Sequence, residues 1–273
     1  MKYSFSHTID SMKIIVCIKQ VPASSNVQID PVTGVLIRDG NNTKMNPYDL
    51  YALETALRIK AKTSAVITTI TMGPPSAKIA LEESLWMGID RGYLLTDRQF
   101  AGADVVATSY TLSQGIDQIG DYDLIICGKQ TTDGDTAQVG PEIAEHLHIP
   151  HVAYVEDIIE VKDKSIVVRV SMDLTSETIE IQYPCLITVE KGIYTPRLPS
   201  YKTRLLQKPE QIKIITLNDF SDKDVTHYGL KGSPTQVEAM FTPSKEVDKV
   251  TYTGDEASLA DSFYQSLKAL KVL

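Results

Sequence analysis

The sequence is short of cysteine, with three in 273 residues and no Cys-x-x-Cys pair. That excludes a disulfide frame and a thiolate metal site. Cys17, Cys127 and Cys185 each stand in a strand-like apolar stretch, which fits buried thiols in a reducing cytoplasm. Long hydrophobic runs are lacking as well: Ile14–Ile18 and Leu124–Cys127 are strand-sized against the roughly 20 apolar residues of a bilayer crossing, so no membrane insertion is expected. Positive charge is in deficit. Lys+Arg number 27 against 35 Asp+Glu, and the net −8 repels polynucleotides and anionic surfaces, so no nucleic acid partner is expected. Neither Gly-x-Gly-x-x-Gly nor a Walker-type loop ending Gly-Lys-Ser/Thr occurs, which removes the stock phosphate motifs. The histidines, His7, His146, His148, His151 and His227, are scattered, and His146 and His148 diverge on a helix, so neither a metal site nor a catalytic pair is expected.

What is present is an alternation of strand-like runs and helical periodicity from Lys13 to about Ile149, the signature of parallel strands joined by helical crossovers. Strands are expected over Lys13–Lys19, Ala65–Thr71, Arg91–Leu95 and Asp123–Cys127, and helices over about Ser76–Met87 and Ala103–Ile119. Another helix opens at Asn46-Pro47-Tyr48-Asp49, where Asn can cap, Pro suits the first helical position and Asp favours the positive first turn. Val27–Ile29 and Val35–Ile37, flanking Asp30–Gly34, predict an inserted hairpin. The helix that ends at His148 has two candidate starts, Asp135 capping with Gln138 reaching back, or Gly140-Pro141. From His151 to Val189 the pattern is β-rich and reads as a meander finishing the sheet.

Met1–Met12 lacks an apolar h-region and reads as a flexible leader. Residues 194–273 carry Pro196 and Pro199, then no sustained periodicity to about Val250, which predicts an arm lying on another body. Leu259, Phe263, Leu267 and Leu270 mark one face of a closing helix. The expected fold is therefore α/β: a Rossmann-like, open, mostly parallel sheet with helices on both faces over residues 13–193, followed by an extended C-terminal arm and a terminal helix.

In such a sheet, ligands sit beyond the carboxyl ends of the strands, so the stretches after the first strand, after Met72 and after Gly128 carry the information. Gly128–Gly140 is the richest. Unpaired amides at a helix start can hold phosphate, and Asp or Gln side chains can hold ribose hydroxyls or an adenine edge. Asp133 and Asp135 are expected to cap backbone or to meet sugar or a second ligand, leaving phosphate to the amides around Thr136–Gly140. A surface loop before a capped helix accounts for the same residues, and capping alone accounts for Asn46–Asp49.

Four segments together resemble the beta subunit of electron-transfer flavoproteins: Val16-Cys17-Ile18-Lys19-Gln20-Val21-Pro22, Asn46-Pro47-Tyr48-Asp49, Met87-Gly88-Ile89-Asp90-Arg91-Gly92, and Gly128-Lys129-Gln130 with Asp133 to Gly140. They stand in the family's order, and the likeness covers nearly the whole chain from Lys13. The resemblance implies an alpha-subunit partner with its own FAD, no turnover by this chain alone, and an adenine-nucleotide site here. Its contacts would fall at Cys17 through the backbone, Asn46, Pro47, Tyr48, Asp49, Met72, Asp133, Gly134, Asp135, Thr136, Ala137, Gln138, Val139, Gly140, Pro141 and Ala144. Asp133–Pro141 is similar to the electron-bifurcating branch, which holds FAD at this site, whereas ordinary members hold AMP; glycine at 134 gives clearance for the larger ligand.

That branch implies NADH as hydride donor, with single electrons passing to ferredoxin or flavodoxin and, through the alpha-subunit FAD, to a flavin-dependent dehydrogenase for an acyl-CoA, an enoyl-CoA or a 2-hydroxy acid. Thr195–Lys202 matches the loop by which the family meets dehydrogenases, implying contacts at Pro196, Arg197, Leu198, Pro199, Ser200 and Tyr201. No catalytic residue is implied. Three other readings stand beside this one: an ordinary beta subunit with AMP, a free-standing ATP-binding α/β protein, and a scaffold subunit with an empty site. The ATP-binding class would want a phosphate loop where Gln20–Ser24 stands.

Overall fold

A computed structural model describes residues 11–23, 28–29, 36–37, 43–172, 174–238 and 249–273. They fall into two units, Met1–Val237 and Glu238–Leu273. In chain order the elements are β1 Lys13–Cys17, β2 Gln20–Pro22, β3 Gln28–Ile29, β4 Leu36–Ile37, β5 Thr43–Met45, α1 Pro47–Thr63, β6 Val66–Met72, α2 Lys78–Met87, β7 Arg91–Leu95, α3 Val105–Ile119, β8 Leu124–Gly128, α4 Val139–His146, β9 His151–Val161, β10 Ser165–Ser171, β11 Ser176–Gln182, β12 Cys185–Val189, α5 Tyr201–Leu206, β13 Ile212–Ile215 and α6 Glu256–Ala269.

The main sheet runs β11-β10-β9-β12-β8-β1-β6-β7-β13, parallel from β9 to β13 and antiparallel only at β9-β10-β11. β1 shows why the centre is parallel: Ile14 and Val16 face one side, Ile15 and Cys17 the other, and all are buried, as in strands covered on both faces. α1 and α2 cover the first face through Leu53, Leu57, Leu81 and Leu85. α3 and α4 cover the second through Leu112, Ile116, Ile143 and Ala144. The expected fold class holds.

Two expectations need correction. The β-rich stretch is a meander only through β11; β12 returns between β9 and β8, parallel to both, with Leu186 opposite Ile125. Its five residues are all buried, so a sheet interior suits them better than an edge. Second, the arm after Tyr194 does not leave its own body at once. β13 extends the sheet beside β7, Phe220 stacks on Phe100 at 5.5 Å between ring centroids, and Tyr228 packs tilted against Phe100 at 5.7 Å. Asp222 fixes this segment to α3: its Oδ2 accepts from Tyr110 Oη at 2.6 Å and lies 2.5 Å from His227 Nδ1.

The expected hairpin is described in part, with Gln28 paired to Ile37 and Ile29 to Leu36; Val27 and residues 30–35 lie outside the described residues. So do residues 1–10 of the expected leader, whereas the Met12 carbonyl accepts from Val66 N at 2.8 Å. α6 carries the closing-helix face that includes Phe263, which is exposed within its unit. Among the described residues no helix is long and apolar enough to cross a membrane.

Candidate functional site

The loops after β1, β6 and β8 meet on the carboxyl crest of the sheet. Cys17 lies opposite Ile70 on one side and Cys127 on the other, and Gln20 Nε2 donates to Ser76 O at 3.3 Å, tying the first loop to the second. All three cysteines are free and buried. The neighbouring Cys17 thiol, together with burial, pushes Cys127 well above the ordinary thiol range. Two glycines set the height of the crest. A Cβ on Gly128 would stand 2.6 Å from Asp49 Oδ1 and 2.7 Å from the Tyr48 carbonyl carbon, so α1 can start this close to β8 only over bare backbone. A Cβ on Gly140 would stand 2.7 Å from Thr188 Cγ2, so the first turn of α4 rests on β12 for the same reason.

Asn46 precedes α1 but does not cap it. Its side chain makes no capping bond. Instead Nδ2 donates to Asp49 Oδ1 at 2.9 Å and to Gln130 O at 2.9 Å, while Oδ1 accepts from Thr132 N at 3.2 Å. With 0 % exposure, Asn46 is a cross-brace between α1 and the loop after β8. Asp49, 4 % exposed, extends the brace to β1, its Oδ2 accepting from Lys19 N at 2.7 Å. Burial pushes the Asp49 carboxyl up to about 7, against the lowering effect of the hydrogen bonds from Asn46 and the Lys19 amide.

In the loop, Lys19 Nζ stands 2.8 Å from an Asp133 oxygen. Burial favours the neutral acid there, but the bond and charge of Lys19 prevail and hold Asp133 below the usual carboxylate range. Asp135 accepts from Gln130 Nε2, and its own amide donates to Thr131 O at 2.9 Å. Neither aspartate caps α4. The helix opens at Val139 behind Gln138 with no side-chain cap, one residue ahead of Gly140, and Pro141 occupies the third helical position where a missing N–H costs nothing.

Asp135 and Ala137 both adopt left-handed φ, +54° and +57°. Alternation of this kind turns successive amides to one side as an anion-binding nest. Among the described residues, the amides of Thr136, Ala137 and Gln138 donate to no acceptor. They immediately precede the positive end of α4, so the residues present fit a phosphate group. At Gly134 a Cβ would meet only Thr131 Oγ1 at 3.5 Å, an ordinary contact, so the chain's own packing does not require glycine there.

The crest thus brings together Cys17, Asn46–Asp49, half-buried Met72 and residues 133–141. Ala144 is not among them: it is fully buried in the packing of α4 on the sheet. Residues 196–201 lie elsewhere, against α1 and α2. Arg197 grips the buried Glu54 carboxylate through Nε at 2.8 Å, Nη2 at 3.1 Å and its amide at 3.2 Å, and Ser200 N donates to Trp86 O at 2.9 Å. Leu198 and Tyr201 are left 87 % and 73 % exposed.

Sequence reasoning assigned no site role to Lys19 and Gln130, although both stand in the segments that carry the resemblance, nor to Thr132; their partners become visible only in the fold. Nor did it assign a role to Lys129, whose Nζ pairs with Glu190 at 2.7 Å and sits 4.8 Å from the Tyr154 ring centroid. Tyr154 has φ +61° and donates its amide to Thr188 Oγ1 at 3.0 Å, where the pairing of β9 with β12 shifts register. No local signal marks such a residue, because the shift belongs to the pairing.

Residues 33–219 match the family profile described as "Electron transfer flavoprotein domain". The chain is 44% identical over 263 residues to the electron transfer flavoprotein subunit beta of Thermoanaerobacterium thermosaccharolyticum, covering 96% of this chain and 100% of that one. It is 42% identical over 264 residues to the caffeyl-CoA reductase-Etf complex subunit CarD of Acetobacterium woodii, with 96% and 100% covered. To protein FixA of Azorhizobium caulinodans it is 40% identical over 246 residues, with 88% of each chain covered. A family profile over most of the chain and relatives of 40–44% identity along nearly their whole length show that the chain belongs to the electron transfer flavoprotein beta-subunit family.

Proposed function

We propose that this chain holds the adenylate half of an FAD on the crest and serves as the electron-bifurcating half of an alpha/beta flavoprotein. The observation that carries the reading is the set of free amides at Thr136, Ala137 and Gln138, framed by two left-handed residues at the start of α4. These amides and the first turn of α4 bind the phosphates. Gly128 and Gly140 keep the floor low enough for close approach, and Asn46 with Asp49 holds the loop in register. Cys17 and Met72 close the floor at the ends of β1 and β6.

A flavin held there would supply the chemistry of hydride acceptance from NADH and one-electron release, toward ferredoxin or flavodoxin and, through the alpha-subunit FAD, toward a flavin-dependent dehydrogenase. The protein's part is to hold and orient. Gly134, which the local packing does not require, supports FAD over AMP by leaving room beside the loop. The CarD relative bears a name that couples it to a CoA-thioester reductase, which favours a dehydrogenase of the enoyl-CoA type. Leu198 and Tyr201, presented on a segment anchored by Arg197 and Ser200, supply its contact.

Extraction of the purified alpha/beta complex tests this. Two FAD per pair, with NADH-dependent ferredoxin reduction that requires the dehydrogenase acceptor, is the expected result. One FAD and one AMP per pair would overturn the flavin assignment in favour of a structural nucleotide.

A further inference from the structure

α1 carries two buried acids. Asp49 belongs to the crest; Glu54 does not, yet only 3 % of it is exposed. Its Oε1 accepts from Arg58 Nε at 3.1 Å and from Arg197 Nη2 at 3.1 Å, and its Oε2 from Arg197 Nε at 2.8 Å and from the Arg197 amide at 3.2 Å. Burial opposes the charge, but these bonds prevail and hold the carboxyl below its ordinary range. An apolar side chain of the same shape would serve the packing of α1 as well as a buried ion pair does, so stability alone does not account for an acid here.

What Glu54 holds is the segment that carries Leu198. No side chain between Thr195 and Ser200 is buried, and Pro196 and Pro199 have no N–H to give. Among the described residues, the bonds of Arg197 to Glu54 are the only hydrogen bonds made by residues 195–199; the next tie is Ser200 N to Trp86 O at 2.9 Å. Leu198, 87 % exposed, stands between these two ties. A side chain already held out in this way costs a partner little ordering entropy. No neighbour can replace the acid, since residues 191–209 hold Lys191, Arg197, Lys202, Arg204 and Lys208 but no Asp or Glu. Without the carboxylate, two guanidinium groups face each other. Arg58 is kept in place by the Tyr194 ring, 4.3 Å from its Cζ, so Arg197 is the one released.

We propose that Glu54 is a positioning residue for partner docking: by gripping both the guanidinium and the amide of Arg197, it fixes Leu198 in the orientation that enters an apolar pocket on the dehydrogenase, without touching that partner itself. The proposal rests on the reading of residues 196–201 as the dehydrogenase contact.

The test compares the purified alpha/beta complex with its Glu54→Gln variant, which keeps the shape and removes the charge. Trypsin reports the grip, because cleavage after Arg197 requires the guanidinium that Glu54 holds, while cleavage after Lys164, in the turn between β9 and β10, reports general loosening. Docking is read from reduction of the complex, as the varied electron acceptor, by a short-chain acyl-CoA dehydrogenase supplied with butyryl-CoA. Cleavage after Arg197 is expected to quicken about tenfold with cleavage after Lys164 unchanged. The KM for the complex is expected to rise about fivefold at unchanged kcat, the pattern of lost uniform binding. An unchanged KM in Glu54→Gln beside a raised KM in Leu198→Ala overturns the role of Glu54 and leaves the reading of the loop intact. A fall in kcat alone, or cleavage quickened equally at both bonds, marks a merely structural residue and overturns it as well. No saturable reduction of the wild-type complex, or an unchanged KM in Leu198→Ala, overturns the reading of the loop and the proposal with it. If Glu54→Gln does not fold, Arg197→Lys, which keeps the charge and the tryptic site but lacks the fork, takes its place: a raised KM supports the proposal and an unchanged one overturns it.

Discussion

Asn46→Ala removes the hydrogen bonds to Asp49 Oδ1, Gln130 O and Thr132 N in one step. The two bonds to neutral backbone groups contribute about 1 kcal/mol each and the one to the carboxylate about 1.5–3 kcal/mol, so the loss is about 4 kcal/mol. Little of it is recovered by water, because Asn46 is fully buried. A residue that only capped α1 would cost about 1 kcal/mol on truncation, and aspartate would cap as well as asparagine. Aspartate cannot serve as the brace: it has no N–H for Asp49 or Gln130 O, and it would set a second carboxylate beside the first. Asn46→Asp is therefore expected to be at least as unstable as Asn46→Ala. Urea unfolding reads both, followed by far-ultraviolet circular dichroism and by emission of the single tryptophan, Trp86, which is half-buried beneath Arg204 at 4.6 Å. A cost of about 1 kcal/mol or less for alanine, with aspartate neutral, would refute the brace and restore the cap.

Arg197→Ala leaves the buried Glu54 carboxylate with Arg58 alone and should destabilise by about 3 kcal/mol in the same unfolding assay. Arg197→Lys, which lacks the fork, should not rescue it. Thr71→Val removes a buried hydroxyl that has no partner among the described residues, so a gain of about 1 kcal/mol is expected, and a loss would reveal a hydrogen bond. Asp222 is held down to about 2 by hydrogen bonds from Tyr110, His227 and the Asp224 amide, and Asp222 in turn raises His227. The carboxylate's contribution is complete above its ordinary 3.8 and lost as pH falls toward 2; the imidazolium's is complete below its ordinary 6.5 and lost as pH rises through the elevated value. The stability gap between wild type and Asp222→Asn should thus be widest between about pH 4 and 6.5 and narrow at pH 9. A gap independent of pH would remove His227 from the pairing.

The parallel core was legible because its signals are local. Arg91–Leu95 carries its own β-pattern and matches β7 at both ends, and Pro47 opens α1 where its fixed φ suits the first turn. What failed depends on partners far along the chain. β12 was misplaced because insertion between β9 and β8 is a property of the sheet, and β13 went unseen because four residues with only Ile215 buried have no period to detect. The site divides in the same way. Gly128 to Gly140 announced itself through glycines and polar residues before a helix. The brace stayed hidden, since an asparagine before Pro47 looks the same whether it caps α1 or reaches 84 residues ahead to Gln130.

Photolabelling of the alpha/beta complex with an 8-azidoadenine nucleotide, followed by mapping of the modified peptides, addresses the crest most directly. Label between Lys129 and Glu142 or at Asn46–Tyr48, suppressed by excess AMP, is the predicted result. Label confined to the alpha subunit, or falling on this chain outside those segments, would contradict the placement of the adenylate.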